Sequence, residues 1–481
     1  MSFLPPRRAR RSPGQALDAL ARTYDVLVVG GGNAGLSAAL VARGRGASVL
    51  VVEAAPKFYR GGNTRHTRNL RCAHETANDV LTGPYPEEEF WDDLVCVTGG
   101  ETDEELARFT IRQSKGLWNF LTAQGVRFQP PLAGTLGLER TNAFFLGGGR
   151  ALLNSLYLSA ERSGVGVVYG AEVAGLRLDG GRFVSAMVRC DGGEFEVGAA
   201  ALVAAAGGFE ANLEWLAQSW GPAAANFLVR GTPYNRGTVL RMLLDGGAQP
   251  VGDPTQCHAV AVDARAPKFD GGISTRLDCV VFGIVVNRDC ERFSDEGKDF
   301  WPKRYAVWGR LVAAQPEQIA YVIIDRKSID RFMPSIFPPV AAESLSELAL
   351  RLGIDAPRLQ KTVAEFNAAV RPGSFDPARL DDCRTEGLHP PKSHWAQPIE
   401  VPPFYGYPLR PGITFTYLGV RVNRDARIIM DCGSPSKNMY AAGEIMAGNV
   451  LGKGYLAGIG MTIGGVFGRV AGEKAAAHAR H

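Results

Sequence analysis

Three glycines, Gly30, Gly32 and Gly35, stand in the spacing G-x-G-x-x-G directly after an apolar run and before a small-residue run. A turn of that spacing between a strand and a helix brings backbone N–H groups against a pyrophosphate. Gly30 permits the tight turn, Gly32 lets the backbone approach the phosphates, and Gly35 allows close packing of helix on strand. Asn33 and Ala34 belong to the turn, and the exposed N–H groups and dipole of the helix that follows attract the anion. Glu53 follows about twenty residues later, at the end of the next apolar run, where a carboxylate accepts hydrogen bonds from ribose hydroxyls. It would repel a 2′-phosphate, so the spacing predicts a dinucleotide site unsuited to NADP.

A second group of residues suits anion and proton chemistry. Arg140, Arg230, Arg236, His258, Arg265, Lys268, Arg276 and Arg304 crowd the middle of the chain. Removing two hydrogens from adjacent carbons flanked by carboxylates needs a hydride acceptor, a base, and cations that hold the acid groups while charge develops. The strings Ala204-Ala-Ala-Gly-Gly-Phe209 and Met439-Tyr-Ala-Ala-Gly-Glu444 each end an apolar strand in a glycine turn.

These residues need a scaffold. Residues 25–29 and 48–52 are short, unalternating apolar runs, as in strands buried on both faces, and 36–43 between them is helical. Residues 104–124 read as one helix. Residues 165–169, 174–178, 183–189 and 195–198 read as strands of a meander, and 202–206 as a further buried strand. From about 259 to 412 the composition shifts toward Pro, Arg and aromatics, with amphipathic helices over 344–352 and 356–370. After 419 the strand–turn–helix character returns.

Composition bounds the class. At 481 residues the chain is too long for one ordinary core. A net charge of +4 is too mild to imply nucleic acid. Eight isolated cysteines form no C-x-x-C, so no iron–sulfur cluster, c-type haem or metal site is expected, and a reducing cytoplasmic setting suits them. No apolar stretch reaches the roughly 18–20 residues of a membrane span, which predicts a soluble protein. Arg7, Arg8, Arg10 and Arg11 lie in an N-terminal stretch, 1–22, with no apolar run behind them; a disordered basic arm is expected rather than a secretory signal.

With these strings on the page, the chain resembles the fumarate reductase/succinate dehydrogenase flavoprotein family, and within it the tricarballylate dehydrogenases. The resemblance is carried by Gly61-Gly62-Asn63-Thr64 and the residues to Arg71, by 140–145 (RTNAFF), 230–235 (RGTPYN), 300–310 (FWPKRYAVWGR) and 414–419 (TFTYLG). It implies an α/β fold, a Rossmann-like FAD-binding domain (23–258 and 413–481) with an inserted α+β capping domain (259–412). It further implies FAD held by Gly61 to Thr64, Ala206, Gly207, Gly443, Glu444 and Gly458 as well as the first turn, with Glu444 on the ribityl or ribose chain. The resemblance places a substrate-binding histidine at His258, a proton-transferring arginine at Arg304 and a relay carboxylate at Glu296. An arginine is a poor base, so Arg304→Lys is expected to cost turnover far more than affinity.

The departures shape the substrate expectation. The family's histidine before the Thr-x-Gly-Gly turn is replaced by Phe415, and its late-loop arginine by Lys453 and Tyr455. These changes count against succinate or fumarate and favour a bulkier acid. The expected activity is desaturation of tricarballylate to cis-aconitate, with Arg140, Arg230, Phe415, Tyr417 and Tyr455 around the acid. A membrane-associated iron–sulfur and haem protein is the implied electron acceptor. Competing readings are an oxygenase acting on a corrinoid, a soluble fumarate reductase-like enzyme, a ketosteroid desaturase with Tyr455 or Tyr417 as acid–base group, and a flavin-binding sensor without turnover. Arg65-His66-Thr67 loosely resembles the string that links flavin covalently in succinate dehydrogenases, but its offset from Asn63 matches the noncovalent members better.

Overall fold

The computed structural model describes residues 22–131, 138–271 and 275–480. The expected basic arm lies outside them apart from Arg22. The chain opens with strand β1 (Tyr24–Val29), helix α1 (Asn33–Gly44) and strand β2 (Val49–Glu53). Every residue of β2 is buried, as the unbroken apolar run requires. Strands β3 (Gly166–Tyr169), β4 (Glu172–Asp179), β5 (Arg182–Cys190) and β6 (Gly193–Ala204) follow. The two strands expected at 195–198 and 202–206 are thus one. Its first half pairs with β5 at the surface, and its second half enters the core beside β1. The single helix expected over 104–124 is broken into Glu104–Ser114 and Leu117–Ala123, at Lys115 and Gly116. Glycine is a poor interior helix residue, and the turn is redirected there.

A second sheet comprises β7 (Leu228–Arg230), β8 (Cys257–Asp263), β9 (Phe269–Asp270), β10 (Ile284–Asn287), β11 (Ala320–Asp325), β12 (Val340–Ala342) and β13 (Phe404–Thr416). The chain then returns to the first sheet through β14 (Arg427–Ile429) and β15 (Pro435–Ala441), and ends in α2 (Ile459–His478). The first sheet runs β14-β15-β6-β1-β2-β3, with β5 against β6 and β4 against β5; the second runs β9-β7-β13-β11-β10, with β8 and β12 against β13.

The second sheet does not begin or end at the expected joins. β7 belongs to it although it lies before residue 258, and both β8 and β13 run across the joins at 258 and 412. The 13-residue strand β13 explains this: it pairs with β8, β11 and β12 along its length and, at Gly412 and Ile413, with β7.

In the first sheet, Val29 is level with Val52 on one side and with Ala204 on the other, and Ala204 is level with Ala441. Four parallel strands therefore end at one edge, and the strand order changes direction at β1. That is the crevice where open α/β sheets bind ligands. α1 and α2 cover it. They pack close because Gly468 and Gly472 face backbone: a Cβ there would lie 2.4 Å from the Ala34 carbonyl oxygen and 2.2 Å from that of Ala38.

Candidate active site

A cavity of about 1740 Å³, counting its open mouth, runs from this crevice to the second sheet. Its floor is the first glycine turn. Gly30 has φ +103°, and a Cβ there would sit 2.2 Å from the Ala205 carbonyl oxygen; one at Gly35 would sit 1.9 Å from the Gly30 carbonyl oxygen. Both positions therefore exclude a side chain for packing reasons. Gly32 differs, since its Cβ would meet nothing closer than 3.3 Å, at Thr64 Oγ1. Its bareness keeps backbone open to the cavity. Helices α1 and α2 both start at this cavity, with no side-chain cap and no acid in the first turn. Asn33 N already donates to Thr64 Oγ1 at 3.0 Å and Gly460 N to the Tyr455 hydroxyl at 3.2 Å, so the helix dipoles are what both starts offer an anionic group.

Glu53 is 5% exposed and accepts hydrogen bonds from the N–H groups of Gly31 (2.9 Å), Ala55 (2.9 Å) and Gly61 (3.3 Å). Burial raises its carboxyl above the usual range, opposed by these three amides. Glu53 thus ties the first turn to the 61–66 loop as well as facing the cavity. Asn63 is also a tie: its Nδ2 donates to Glu210 Oε1 and the Thr414 carbonyl at 2.6 Å each, and its Oδ1 accepts from Thr232 N at 2.8 Å.

The far end of the cavity is a cationic chamber lined by Arg68, Arg230, Arg276, His66, His258, Tyr305, Tyr455, Phe415 and Trp301. Arg276 is clamped by Asp278, Nε to Oδ1 at 2.8 Å and Nη2 to Oδ2 at 2.6 Å, and Trp301 Nε1 donates to the same carboxylate at 2.6 Å. Arg230 Nη1 donates to Thr414 Oγ1 at 3.1 Å. Arg68 makes no ion pair among the described residues, and Arg276, followed by burial, pushes its guanidinium down to about 10. Burial and then Arg276 also lower Arg230. Arg276, itself held by Asp278, thus lowers both cationic neighbours, which concentrates positive charge at this end of the cavity.

His258 is 3% exposed, with Tyr455 stacked on its ring and Tyr305 edge-on at 5.6 Å. Burial, then Arg230 and Arg276, hold it well below the ordinary histidine range. Its Nδ1 is buried without a hydrogen-bond partner. A neutral imidazole with an unsatisfied nitrogen at the wall of a cationic chamber is positioned for a polar ligand.

A family model described as an FAD binding domain matches residues 25–461. The chain belongs to that family, among the flavoproteins of the fumarate reductase/succinate dehydrogenase superfamily. It is 27% identical over 479 residues to the NADH:fumarate oxidoreductase of Klebsiella pneumoniae (strain 342), a match covering 96% of this chain and 48% of the relative. The chain thus spans about half the length of that protein. The open conformation of a flavocytochrome c3 fumarate reductase superposes with a TM-score of 0.74 at 24% identity, covering 97% of this chain and 81% of the other. A 3-ketosteroid-Δ4-(5α)-dehydrogenase from Rhodococcus jostii RHA1 superposes with a TM-score of 0.72 at 24% identity, covering 95% and 97%. These two likenesses concern the fold.

FAD is the cofactor of this flavoprotein, and the cavity fits it. The dipoles of two helix starts, the bare backbone at Gly32, and a buried Asn33 Oδ1 that lacks a partner all meet at one dinucleotide-sized space. Gly30, Gly32, Asn33, Ala34, Glu53, Gly61, Gly62, Asn63, Thr64, Ala206, Gly207, Gly443, Glu444 and Gly458 all line it, while Gly35 packs behind the turn. His66 also lines the cavity, lowered to about 4 by burial, then Arg230 and Arg65.

Four residues expected around the substrate lie elsewhere. Arg304 does not line the cavity. The short helix Trp301–Arg304 and the turn after it present Trp301 and Tyr305, one helical turn apart, and Arg304 is rotated off that face. Glu296 is no relay for it: Oε2 accepts from Arg292 Nη2 at 2.5 Å and Oε1 from Val285 N at 2.9 Å. Both partners are buried, and breaking such a pair costs about 3–5 kcal/mol, so Glu296 holds the second sheet. Arg140 is half exposed and bound to Glu89 and the Pro84 carbonyl. Tyr417 is fully buried, and its hydroxyl donates to the Gly454 carbonyl. Lys453 points outward to Glu101, leaving Tyr455 as the late-loop residue in the chamber.

The sequence reading missed Arg68, Tyr305, Asp278 and Trp301. Trp301 and Tyr305 flank Arg304 in the string that drew attention to it, and Arg68 stands two residues after His66. Asp278 carries a local signal, an acid two residues after Arg276, which in a strand or extended segment lies on the same side.

Proposed function

We propose that this flavoprotein oxidoreductase acts on the CH–CH bond of a small polycarboxylate, with desaturation of tricarballylate to cis-aconitate as the leading reaction. One observation carries the reading: Arg68, Arg230 and Arg276 all line one buried chamber, where Asp278 fixes Arg276 and Arg276 in turn lowers Arg68 and Arg230. Several acid groups on one small molecule would offset the positive charge of such a chamber, whereas a steroid would bring it no charge.

FAD, when bound, supplies hydride acceptance and return. The chain's own residues do the rest. Arg68 and Arg230 bind carboxylates. Asp278 and Trp301 fix Arg276, so its guanidinium meets developing negative charge without reorganising. Arg276 stays protonated, since Asp278 raises it despite burial. Tyr305, whose ring lies 5.1 Å beneath that guanidinium, is then the chamber group assigned to carry the proton at its hydroxyl. His258 is neutral and accepts or donates one hydrogen bond to the acid. Phe415 and Tyr455 close the wall and exclude water.

The two-domain division, with the second sheet as a cap over the chamber, belongs to this reading. So do a cytoplasmic setting, supported by eight free cysteines, and an external iron–sulfur or haem electron acceptor. No helix among the described residues is long and apolar enough to cross a membrane. A soluble fumarate reductase-like activity is the second reading, favoured by the named activity of the Klebsiella relative. Anaerobic mixing with tricarballylate, succinate and related acids, followed by the flavin spectrum, tests both. Bleaching by tricarballylate is expected; bleaching by succinate alone, or by none, would overturn the leading reading.

A further inference from the structure

The loop beside the flavin cavity has an inner and an outer side. Gly61, Gly62, Asn63, Thr64 and His66 line the cavity, while Arg65, within the same 3₁₀ turn (Gly62–His66), does not. Arg65 Nη1 instead donates to the Phe58 carbonyl at 2.7 Å, and its Cζ lies 5.3 Å from the Phe58 ring centroid and 5.9 Å from that of Tyr59. Phe58 and Tyr59 meet edge to face at 4.9 Å, and they are 65% and 51% exposed. Two large rings held side by side at the surface mark an interaction site.

Cations surround the two rings. Lys57 precedes them and Arg60 follows, with Arg60 Nη1 donating to the Lys57 carbonyl at 2.7 Å and Nη2 to Asn154 Oδ1 at 2.8 Å. Asn154 stands one helical turn after Arg150 in the helix Gly148–Ser163, so Arg150 shares its face. That helix starts against the loop: a Cβ at Gly149 would lie 2.0 Å from the Thr64 carbonyl oxygen. Lys57 and Arg150 are exposed, and Lys57, Arg60, Arg65 and Arg150 make no ion pair among the described residues. Arg60 acts on Glu53, but that carboxylate is buried and bonded to three amides. Burial, then Arg150 and Arg60, lower the Arg65 guanidinium, as expected of cations gathered on one patch.

We propose that this patch, formed by Lys57, Phe58, Tyr59, Arg60, Arg65 and Arg150, docks an acidic electron-carrier protein. The proposal rests on the reading that electrons leave this chain for an external protein, and it adds the face and the charge of that partner. The cations suit an acidic surface, and the rings suit the centre of an interface, where aromatic residues and Arg are enriched. Redox encounters use small interfaces steered by charge, which a patch of six side chains fits. Electron tunnelling weakens steeply with distance, and the 61–66 loop is what separates the patch from the cavity. Each desaturation yields two electrons and two protons; the electrons reduce two one-electron carriers in turn, and the protons go to solvent.

The test uses the flavin-loaded protein, an acidic plant-type two-iron ferredoxin as the probe, and a basic c-type cytochrome as the charge control. Calorimetric titration gives the Kd, and stopped-flow mixing with reduced ferredoxin gives the rate of flavin reduction. Lys57→Glu combined with Arg150→Glu, both outside the cavity lining, should weaken ferredoxin binding at least about tenfold with flavin absorbance unchanged. Raising salt from about 50 to about 500 mM should weaken binding to the unaltered protein similarly, and this series decides the matter if the variant fails to fold. Ferredoxin binding that is absent at low salt, indifferent to both changes, or matched by the cytochrome would overturn the proposal. So would charge-dependent binding to phosphatidylserine vesicles without binding to ferredoxin, which would make the patch a membrane-contact face. No polycarboxylate enters the test, so a wrong substrate assignment leaves its result intact.

Discussion

Tyr455 lies flat on His258, ring centroids 3.9 Å apart and planes within 8° of parallel. The stack shields one face of the imidazole from water, and Arg230 and Arg276 add positive charge beside it. Both effects keep His258 neutral, which in the proposed reaction makes it a hydrogen-bonding partner of the acid and not a proton donor near neutral pH.

The same physics predicts a pH-dependent stability. His66 is lowered to about 4 and His258 also lies below its usual value, so both resist protonation when folded and accept it when unfolded. Their contribution is complete above about pH 6.5, the ordinary histidine value, and is lost as pH falls toward 4. Thermal unfolding of the flavin-loaded protein at pH 7 and pH 5 should show a smaller drop in His66→Gln than in the unaltered chain. An equal drop would mean that His66 is not held neutral.

Proton transfer should distinguish two neighbours. Tyr305→Phe is expected to lower kcat by about 10²–10⁴-fold, the usual scale for losing a general acid–base group, with KM little changed. Arg304→Ala, outside the cavity lining, is expected to stay within about twofold of the parent rate. Steady-state kinetics against tricarballylate measure both. The opposite ranking would restore Arg304 as the proton carrier.

Charge in the chamber should set affinity. Arg68→Ala removes a cation that makes no ion pair among the described residues, so the fold loses little. A charge-assisted hydrogen bond of about 1.5–3 kcal/mol corresponds to roughly 10–150-fold in KM for a polycarboxylate. Flavin content, read from the visible spectrum, should be unchanged. A loss of flavin with unchanged KM would place Arg68 at the cofactor instead.

The first turn separates packing from binding. Gly30→Ala puts a Cβ 2.2 Å from a carbonyl oxygen at positive φ and should abolish soluble folded protein. A Cβ at Gly32 meets no backbone atom closer than 3.4 Å, so Gly32→Ala should fold but hold less flavin, because the methyl group intrudes on the approach to the phosphates. Circular dichroism and flavin absorbance together resolve the two outcomes.

How much of this was legible in sequence follows from the range of the interactions. The crevice was readable because its signals are local: a buried strand, a glycine turn and a helix start fall within about thirty residues. The second sheet was read poorly because its organising strand, Phe404–Thr416, pairs with segments up to about 180 residues away, such as Leu228–Arg230. Within one string, FWPKRYAVWGR, charge drew attention to Arg304, while helical phase, which composition does not reveal, turned Tyr305 and Trp301 inward. The role of Asn63 likewise depends on Glu210 and Thr414, 147 and 351 residues distant.

The contact of α1 with α2 has a consequence for biosynthesis. Asn33 Nδ2 donates to the Met461 carbonyl at 3.1 Å, across 428 positions of chain. The first glycine turn and the helix that backs it are therefore made 428 residues apart. Until the helix is made, the nascent Rossmann unit lacks one wall and exposes the bare ridge of Ala34 and Ala38. A polypeptide stopped before Ile459 would therefore leave the first glycine turn without the helix that Gly468 and Gly472 bring against Ala34 and Ala38.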